Sequence, residues 1–322
     1  MKAILVREFG AADVMKLEEI ATPTPSANQI LVKIEAAGVN PVDTYIRAGL
    51  YPVKPDLPFT PGKDGAGIVE AIGENVTKFA VGDRVLTADS VSGTYAEFCL
   101  CEEKHLIKLP ENVSFAQGAG VFVPYATSYR ALFQKAKAKQ GETVLIHGAS
   151  GGVGVAAIQW AKNAGLKVIG TASSVEGRKL VEEQGADFVL DHSEENYLEE
   201  IKQITDGKGV NVILEMLANV NLQKDFEVLA MFGRISIIGN RGSLDFNPRV
   251  IMGKDASVFG LALFNAPDAE MQEIHAAIFD GLSLGFLNPI VGKSFELKDS
   301  VQAHRVVIEQ KAFGKIVLLT DN

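Results

Sequence analysis

Apolar positions in the first third of the chain fall in short β-branched runs. Ile30–Ile34, Ala66–Ile72, Arg84–Thr87 and Tyr95–Leu100 are separated by Gly, Pro and Asn turns. Prolines at 23, 25, 41, 52, 55, 58 and 61 crowd this part. Proline cannot donate to a strand ladder, so they mark loops and sheet edges. This pattern predicts a β-rich barrel or sandwich over residues 1 to about 120. From there the rhythm changes. Strand-like runs at 143–147, 167–171, 187–190, 210–216, 233–239 and 256–263 alternate with helical periodicity at 152–164, 174–184, 195–205 and 221–230. Such βαβ alternation predicts an α/β fold with a doubly wound parallel sheet. Gly165 and Gly185 stand where helix C-caps belong. Ser173 and Glu176 have the spacing of a capping box for helix 174–184. Beyond about 265, the amphipathic stretches Ala269–Phe279 and Ser300–Glu309 precede a last strand, Lys315–Leu319, which suggests a return to the first domain.

The most informative segment lies at the first of the alternating strands. Thr143–His147 runs into Gly148-Ala-Ser-Gly151-Gly152-Val-Gly154, and an apolar helix pattern through Trp160 follows. Glycines permit a sharp turn and a close backbone approach to phosphate. The next helix aims unpaired N–H groups and its positive dipole end at the anion. The spacing is Gly-x-x-Gly-Gly-x-Gly rather than the plain Gly-x-Gly-x-x-Gly. The strand before it, the helix after it and the second strand Lys167–Thr171 supply the context that a bare glycine pattern lacks. A dinucleotide, NAD(P) or a relative, is the expected ligand.

Composition narrows the class. The 322 residues are 47% hydrophobic and 22% charged, enough for two full cores. A net charge of −9 disfavours a dedicated nucleic-acid binder. Cys99 and Cys101 lie on one face of a strand, too close for a routine disulfide, and read as buried thiols in a reducing compartment. The N-terminal strand lacks a signal-peptide core, and no apolar run approaches the ~18 residues that span a bilayer. The cytoplasm is the expected location.

With these segments in place, the chain resembles a medium-chain dehydrogenase/reductase, and within that superfamily the ζ-crystallin type of NADPH:quinone oxidoreductase. The resemblance runs from the first strand to the last. It is carried by Gly38-Val-Asn40-Pro-Val-Asp43-Thr-Tyr45-Ile-Arg47-Ala-Gly49, Tyr95-Ala-Glu-Phe98, His147–Gly154, Glu215-Met-Leu-Ala-Asn219-Val-Asn221-Leu and Gly239-Asn240-Arg241-Gly242. It implies a GroES-like β-rich substrate domain, 1–122 with 265–322, and a Rossmann dinucleotide-binding domain, 123–264, with the active site in the cleft between them.

The resemblance also bears on metal. Zinc-dependent members carry Cys and His where this chain has Asn40 and Lys63, and they have a four-cysteine lobe with no counterpart here. Zinc needs three or four Cys, His or carboxylate ligands, so a metal-free site is expected. Without a Lewis acid, nothing strong stabilises the alkoxide of a simple ketone. The acceptor is therefore expected to delocalise the incoming charge itself, as quinones and enones do. Lys63 reads either as a cleft residue for an anionic substrate or as a solvated loop lysine, the commoner case.

The second strand ends in Thr171-Ala172-Ser173-Ser174, without the acid that NAD readers place there. Small hydroxyls accept a 2′-phosphate, and Arg178 one turn on can supply charge, so NADP is expected over NAD. Arg178 also has Glu182 at i+4 as a plain helix partner. By resemblance, Tyr45, Ser150, Gly151, Gly152, Val153, Ser173, His192, Asn221, Ile238, Gly239, Asn240, Arg241, Leu261, Ala262 and Leu263 contact the dinucleotide. His192, Asn240 and Arg241 follow strands at the carboxyl edge where ligands of open sheets gather. Alone, His192 reads equally as a capped loop histidine.

Catalysis belongs mainly to the cofactor. Tyr45 is placed to hydrogen-bond a reduced oxygen and Asn40 to orient a carbonyl, while Asp43 in its turn-like setting also reads as a cap. Two other functions compete with quinone reduction: an NADPH-dependent enone or enoyl-thioester reductase, and an RNA-binding or structural crystallin-type role, which the acidic charge disfavours. The apolar late strand 256–263 would be an aggregation hazard as an open edge, so pairing in a homodimer, or two dimers as a homotetramer, is expected.

Overall fold

The computed structural model of the chain describes residues 1–320. They form two compact units, residues 1–123 with the segment from Ala277 onward, and Pro124–Ala276. The strands in chain order are β1 (Lys2–Val6), β2 (Met15–Glu19), β3 (Gln29–Val39), β4 (Asp64–Ile72), β5 (Arg84–Thr87), β6 (Phe98–Glu102), β7 (Leu106–Lys108), β8 (Thr143–Ile146), β9 (Lys167–Thr171), β10 (Phe188–Leu190), β11 (Val210–Glu215), β12 (Leu229–Ile237), β13 (Ser257–Gly260), β14 (Val291–Glu296) and β15 (Lys315–Leu319). The helices are α1 (Pro41–Arg47), α2 (Phe115–Gly118), α3 (Phe122–Tyr129), α4 (Gly152–Asn163), α5 (Val175–Glu183), α6 (Tyr197–Ile204), α7 (Ala218–Val228), α8 (Arg249–Lys254), α9 (Asp268–Leu284) and α10 (Ser300–Glu309).

In the first unit a seven-stranded sheet runs β14-β15-β3-β4-β5-β7, with β6 also on β3, and β1 pairs with β2 in a separate ribbon. The long strand β3 organises it. Ile30, Val32 and Ile34 bury their side chains with Val85, Tyr95, Cys99, Cys101 and Leu318 in one core. Cys99 and Cys101 stand opposite Val32 and Ile30, both buried as free thiols with their sulfurs 3.7 Å apart. The last strand β15 returns to pair antiparallel with β3. Strand β14 (VGKSFE) carries no expectation from the sequence. Its alternate residues are half-buried and exposed, so its apolar signal is weak.

The second unit is a six-stranded parallel sheet, order β10-β9-β8-β11-β12-β13. The chain winds outward from β8 through β9 to β10, then restarts beside β8 at β11. The order therefore reverses between β8 and β11, and ligands of such sheets bind at the carboxyl end of that switch point. The central strands are buried on both faces: Val144, Leu145, Ile146, Val212, Ile213 and Leu214 are all inaccessible.

Several boundaries move from the sequence expectation. Helix α7 starts at Ala218 rather than 221, because the Ala218 N–H finds the Gly239 carbonyl at 3.0 Å. Strand β13 is four residues, not eight, so Leu261, Ala262 and Leu263 lie beyond the ladder, and Leu263 opens a short 3₁₀ turn. The cap of α5 is Ser174, whose hydroxyl accepts from the Gly177 N–H at 3.2 Å, not Ser173. Such a cap stabilises the helix by about 1 kcal/mol, and it leaves the Ser173 hydroxyl uncommitted. No helix among the described residues is long and apolar enough to cross a membrane.

Candidate dinucleotide site

The expected ligand residues of the second unit follow the carboxyl ends of its strands: Ser150 to Val153 after β8, Ser173 after β9, His192 after β10, Asn221 after β11, Ile238 to Arg241 after β12 and Leu261 to Leu263 after β13. After Ile146 the chain turns through Gly148 at φ +55° and enters α4 with Gly151 as N-cap. No side chain caps this helix. The leading N–H groups of a helix have no intrahelical acceptor, so those of Gly152 and Val153 are directed at whatever anion lies before it. The turn can sit this low because Gly154 lacks a side chain. A Cβ there would meet the Ala149 backbone at 2.5–2.6 Å. Gly177 does the same for α5, where a Cβ would stand 3.0 Å from the Ser174 hydroxyl and 3.1 Å from that of Ser150. Two helix N-termini and two serines thus face the same edge, an arrangement that fits a dinucleotide's phosphates.

Arg178 does not pair with Glu182, the i+4 partner weighed from the sequence. Its guanidinium is ion-paired with Asp191, just past β10, and reaches the Ala172 carbonyl at 3.4 Å. Helix geometry offers Glu182 as a neighbour, but Asp191 sits in the fold with its own carboxylate fixed by Ser193, which holds its pKa below the usual range. Arg178 is therefore pinned beside Ser173 and Ala172. His192 follows, its Nδ1 3.1 Å from the Thr171 hydroxyl.

Across the switch point, the segments after β11 and β12 are laced together. The Asn219 N–H donates to Asn240 Oδ1 (3.0 Å), the Arg241 N–H donates to Asn219 Oδ1 (2.9 Å), and Asn240 Nδ2 donates to the Gly242 carbonyl (2.6 Å). Gly239 is required there, since a Cβ would lie 2.2 Å from the Met216 carbonyl oxygen. Ile238 and Gly239 both donate backbone N–H groups to the Glu215 carbonyl. Asn221 Nδ2 donates to Glu215 Oε1 at 3.2 Å.

The expected catalytic residues belong to the other unit, on and before α1. Asp43 caps this helix, its Oδ2 accepting the Asn40 N–H at 2.8 Å, the capping alternative weighed for it. Tyr45 is half-buried, and its hydroxyl makes no hydrogen bond to another described residue. Asn40 departs from expectation. It is 3% exposed, and both ends of its amide point inward: Oδ1 accepts from Lys315 Nζ, and Nδ2 donates to Asp64 Oδ2 at 3.0 Å. An amide so engaged ties the start of α1 to Asp64 and Lys315. Lys315 Nζ also donates to Asp64 Oδ2 at 2.6 Å, and Asp64 Oδ1 accepts the Val123 N–H at 3.0 Å. A buried ammonium thus already stands as the cation beside Asn40 and Asp64. Lys63 pairs with Asp89 at 2.6 Å, half-exposed. These residues do not suit zinc: an amide, two ammonium groups and a carboxylate taken by a lysine replace the needed ligand set.

A second buried network behind α1 has no sequence signal, since its hydrogen-bonded partners Arg47 and His304 are 257 positions apart. Arg47 Nη1 can only donate, so His304 Nδ1, 3.2 Å away, accepts. His304 Nε2 then carries the hydrogen toward the Tyr95 hydroxyl at 3.1 Å, and that hydroxyl donates to Asp43 Oδ2 at 3.4 Å. Burial, reinforced by the Arg47 charge, lowers the His304 pKa to about 3, so the ring is neutral. Burial raises that of Asp43 to about 7 against the opposing Asn40 hydrogen bond.

Comparison with known proteins gives the family. The alcohol dehydrogenase GroES-like domain profile matches residues 26–111, and the zinc-binding dehydrogenase profile matches 152–280. Human quinone oxidoreductase is 47% identical over 321 residues, 99% of this chain and 98% of its own. A Burkholderia 2-haloacrylate reductase is 32% identical over 98% of both. The structure of Escherichia coli quinone oxidoreductase complexed with NADPH superposes with a TM-score of 0.90 at 31% identity, covering 99% of this chain and 100% of that one. A GroES-like unit joined to a Rossmann unit defines the medium-chain dehydrogenase/reductase class. Within it, the chain belongs to the quinone oxidoreductase family.

Proposed function

We propose that the protein is an NADPH:quinone oxidoreductase that works without zinc. The observation that carries this reading is the paired phosphate cradle, the uncapped α4 beside a Ser173 hydroxyl left open next to Arg178. In it Ser150, Gly151, Gly152 and Val153 hold the pyrophosphate. Ser173 and Arg178 would take the 2′-phosphate, with the Arg178 guanidinium shared with Asp191, since β9 ends without the carboxylate that would repel it. By the same reading His192, Asn221, Ile238, Gly239, Asn240, Arg241, Leu261, Ala262 and Leu263 would contact the rest of the dinucleotide. Once bound, the dihydronicotinamide supplies the hydride.

The chain's own contribution is to position and to exclude water. Tyr45, with an unengaged hydroxyl, is the residue for the acceptor oxygen, and Asn40 acts through α1 as a positioning residue. With Asn40, Asp64 and Lys315 bound to each other, no Lewis acid is available to a developing alkoxide, so the acceptor must delocalise the charge itself. The relative that reduces a haloacrylate favours a second reading on the same terms, reduction of an activated C=C bond. The test is NADPH consumption against a panel of quinones, enones and simple ketones, repeated with NADH, with oxygen uptake recorded. Quinone turnover with NADPH preferred is expected. Comparable turnover of a simple ketone would overturn the metal-free assignment, and turnover of enones alone would give the second reading.

The buried thiols Cys99 and Cys101 fit a reducing compartment, and we place the protein in the cytoplasm. We also propose self-association. Strand β13 is the outer strand of the six-stranded sheet, and its far side presents unpaired backbone groups. Pairing with its twofold copy would close that edge. Light scattering at micromolar concentration is expected to give the mass of a dimer or tetramer, and a monomer would refute the pairing.

A further inference from the structure

Behind the cradle lies a cluster that the proposed chemistry does not use. His147, Glu215 and Asp225 are all buried, and one ring nitrogen and one oxygen from each carboxyl group lie within 4.8 Å of one another. His147 Nε2 is 2.8 Å from Asp225 Oδ1 and 3.6 Å from Glu215 Oε2. The other carboxyl atoms differ in kind. Glu215 Oε1 accepts from the Leu217 N–H and from Asn221 Nδ2, whereas Glu215 Oε2 and Asp225 Oδ2 have no hydrogen-bond donor among the described residues. Two buried, neighbouring carboxyl groups, each with an orphan oxygen, cannot both stay ionised at low cost. A proton held by one of them removes one of the two charges and gives that carboxyl a donor. With an imidazolium at His147 the cluster is then neutral. The charge balance agrees. Burial raises the Glu215 pKa, His147 opposes this and Asp225 adds to it. For His147, burial disfavours the charge, but Asp225 and Glu215 outweigh it and the net shift is upward. Tyr197 of α6 also faces the pair, and burial chiefly keeps it neutral.

The position gives the cluster a role. His147 is the residue before the glycine turn. Glu215 ends β11 at the switch point, and its Oε1 sets both the Leu217 turn and the Asn221 amide. We propose that Glu215 is kept as a neutral acid sharing its proton with Asp225, and that this proton positions Asn221 and the Glu215–Leu217 turn for the dinucleotide, linking NADPH affinity to pH. This rests on the dinucleotide reading above. Loss of the proton would place two adjacent anions behind the site and draw the Asn221 and Leu217 N–H donors toward a full charge.

The experiment titrates NADPH fluorescence with the full-length protein from neutral to alkaline pH, for wild type, Glu215→Gln and Glu215→Ala. Glutamine copies the neutral acid: its amide N–H₂ donates to Asp225 and its carbonyl accepts from Leu217 and Asn221. Wild-type affinity is expected to fall on the order of tenfold as pH rises, the size of a one-unit pKa difference between free and loaded protein. E215Q is expected to keep the neutral-pH affinity and lose that fall, and E215A to bind weakly throughout. The coenzyme's 2′-phosphate titrates as well, at about 6, but identically in all three. The infrared band of a buried protonated carboxyl should be present in wild type and absent in E215Q. Parallel pH profiles in wild type and E215Q, or no such band, overturn the inference while leaving the dinucleotide reading intact. Failure of wild type to bind NADPH at any pH defeats that reading instead. A stoichiometric divalent metal in wild type that E215Q lacks would assign the cluster to a cation and overturn the shared proton.

Discussion

Replacing Lys315 with methionine is expected to destabilise the protein by about 3–5 kcal/mol, a large share of the ~5–15 kcal/mol typical of a folded domain. The side chain is 5% exposed, and its ammonium is bound by Asp64, itself fully buried, and by Asn40. Its stem is enclosed: a Cβ on Gly38 would meet the Lys315 Cε at 2.9 Å, and one on Gly120 the Lys315 Cβ at 3.3 Å. Methionine fills the space of the stem, so the variant removes the charge and little packing. What remains is the Asp64 carboxylate with two hydrogen bonds and no countercharge. The double variant K315M/D64N, which removes both charges, should recover most of the loss, because a buried pair often contributes little net stability although breaking it is costly. Urea midpoints at one pH for wild type, K315M, D64N and the double variant decide the matter. A K315M deficit below about 1 kcal/mol would reduce the contact to the value of a surface ion pair.

This contact also shows where the sequence stops being informative. The alternating strands and helices of the second unit are legible because each is a local pattern, an apolar β-branched run closed by glycine or a 3.6-residue stripe. The glycine turn is legible because its requirement, close backbone approach, is met by residue type alone. The partners of Asn40 are not. Lys315 is 275 positions away, and nothing local distinguishes a lysine that will be buried beside an aspartate from one that stays in water. Hence Asn40 reads as a substrate contact in the sequence, while its bonds to Asp64 and Lys315 become visible only in the fold. The same holds for His304, Arg47 and Tyr95, and for the pairing of Arg178 with Asp191 in place of the helical neighbour Glu182. Local rules rank i+4 partners first, whereas the fold supplies Asp191 just past β10. Strand β14 escapes for the opposite reason, since its alternation is of half-buried with exposed positions and lacks a fully apolar face.

Gly154→Ala is expected to weaken NADPH binding on the order of 100-fold, the scale of misplacement by about an ångström at a positioned site. The added methyl would lie 2.5 Å from the Ala149 Cα and 2.6 Å from its carbonyl carbon and oxygen. These are backbone atoms and cannot rotate aside, so either α4 tilts off the turn or residues 148–151 move outward. Either shift redirects the first-turn N–H groups on which the phosphates depend. Overpacking of this kind also costs about 1–3 kcal/mol of stability, and the two effects must be separated. Gly151→Ala does so. Its methyl would meet nothing nearer than the Gly148 carbonyl oxygen at 3.5 Å, and its φ of −81° suits any residue. G151A should therefore unfold at the wild-type denaturant midpoint, and any affinity it loses reflects the methyl facing the ligand. G154A should lose both midpoint and affinity while keeping wild-type far-ultraviolet dichroism at low temperature. If G154A folds and binds NADPH as tightly as wild type, the phosphates are not held by the α4 turn, and the ligand assignment for Ser150 to Val153 fails with it.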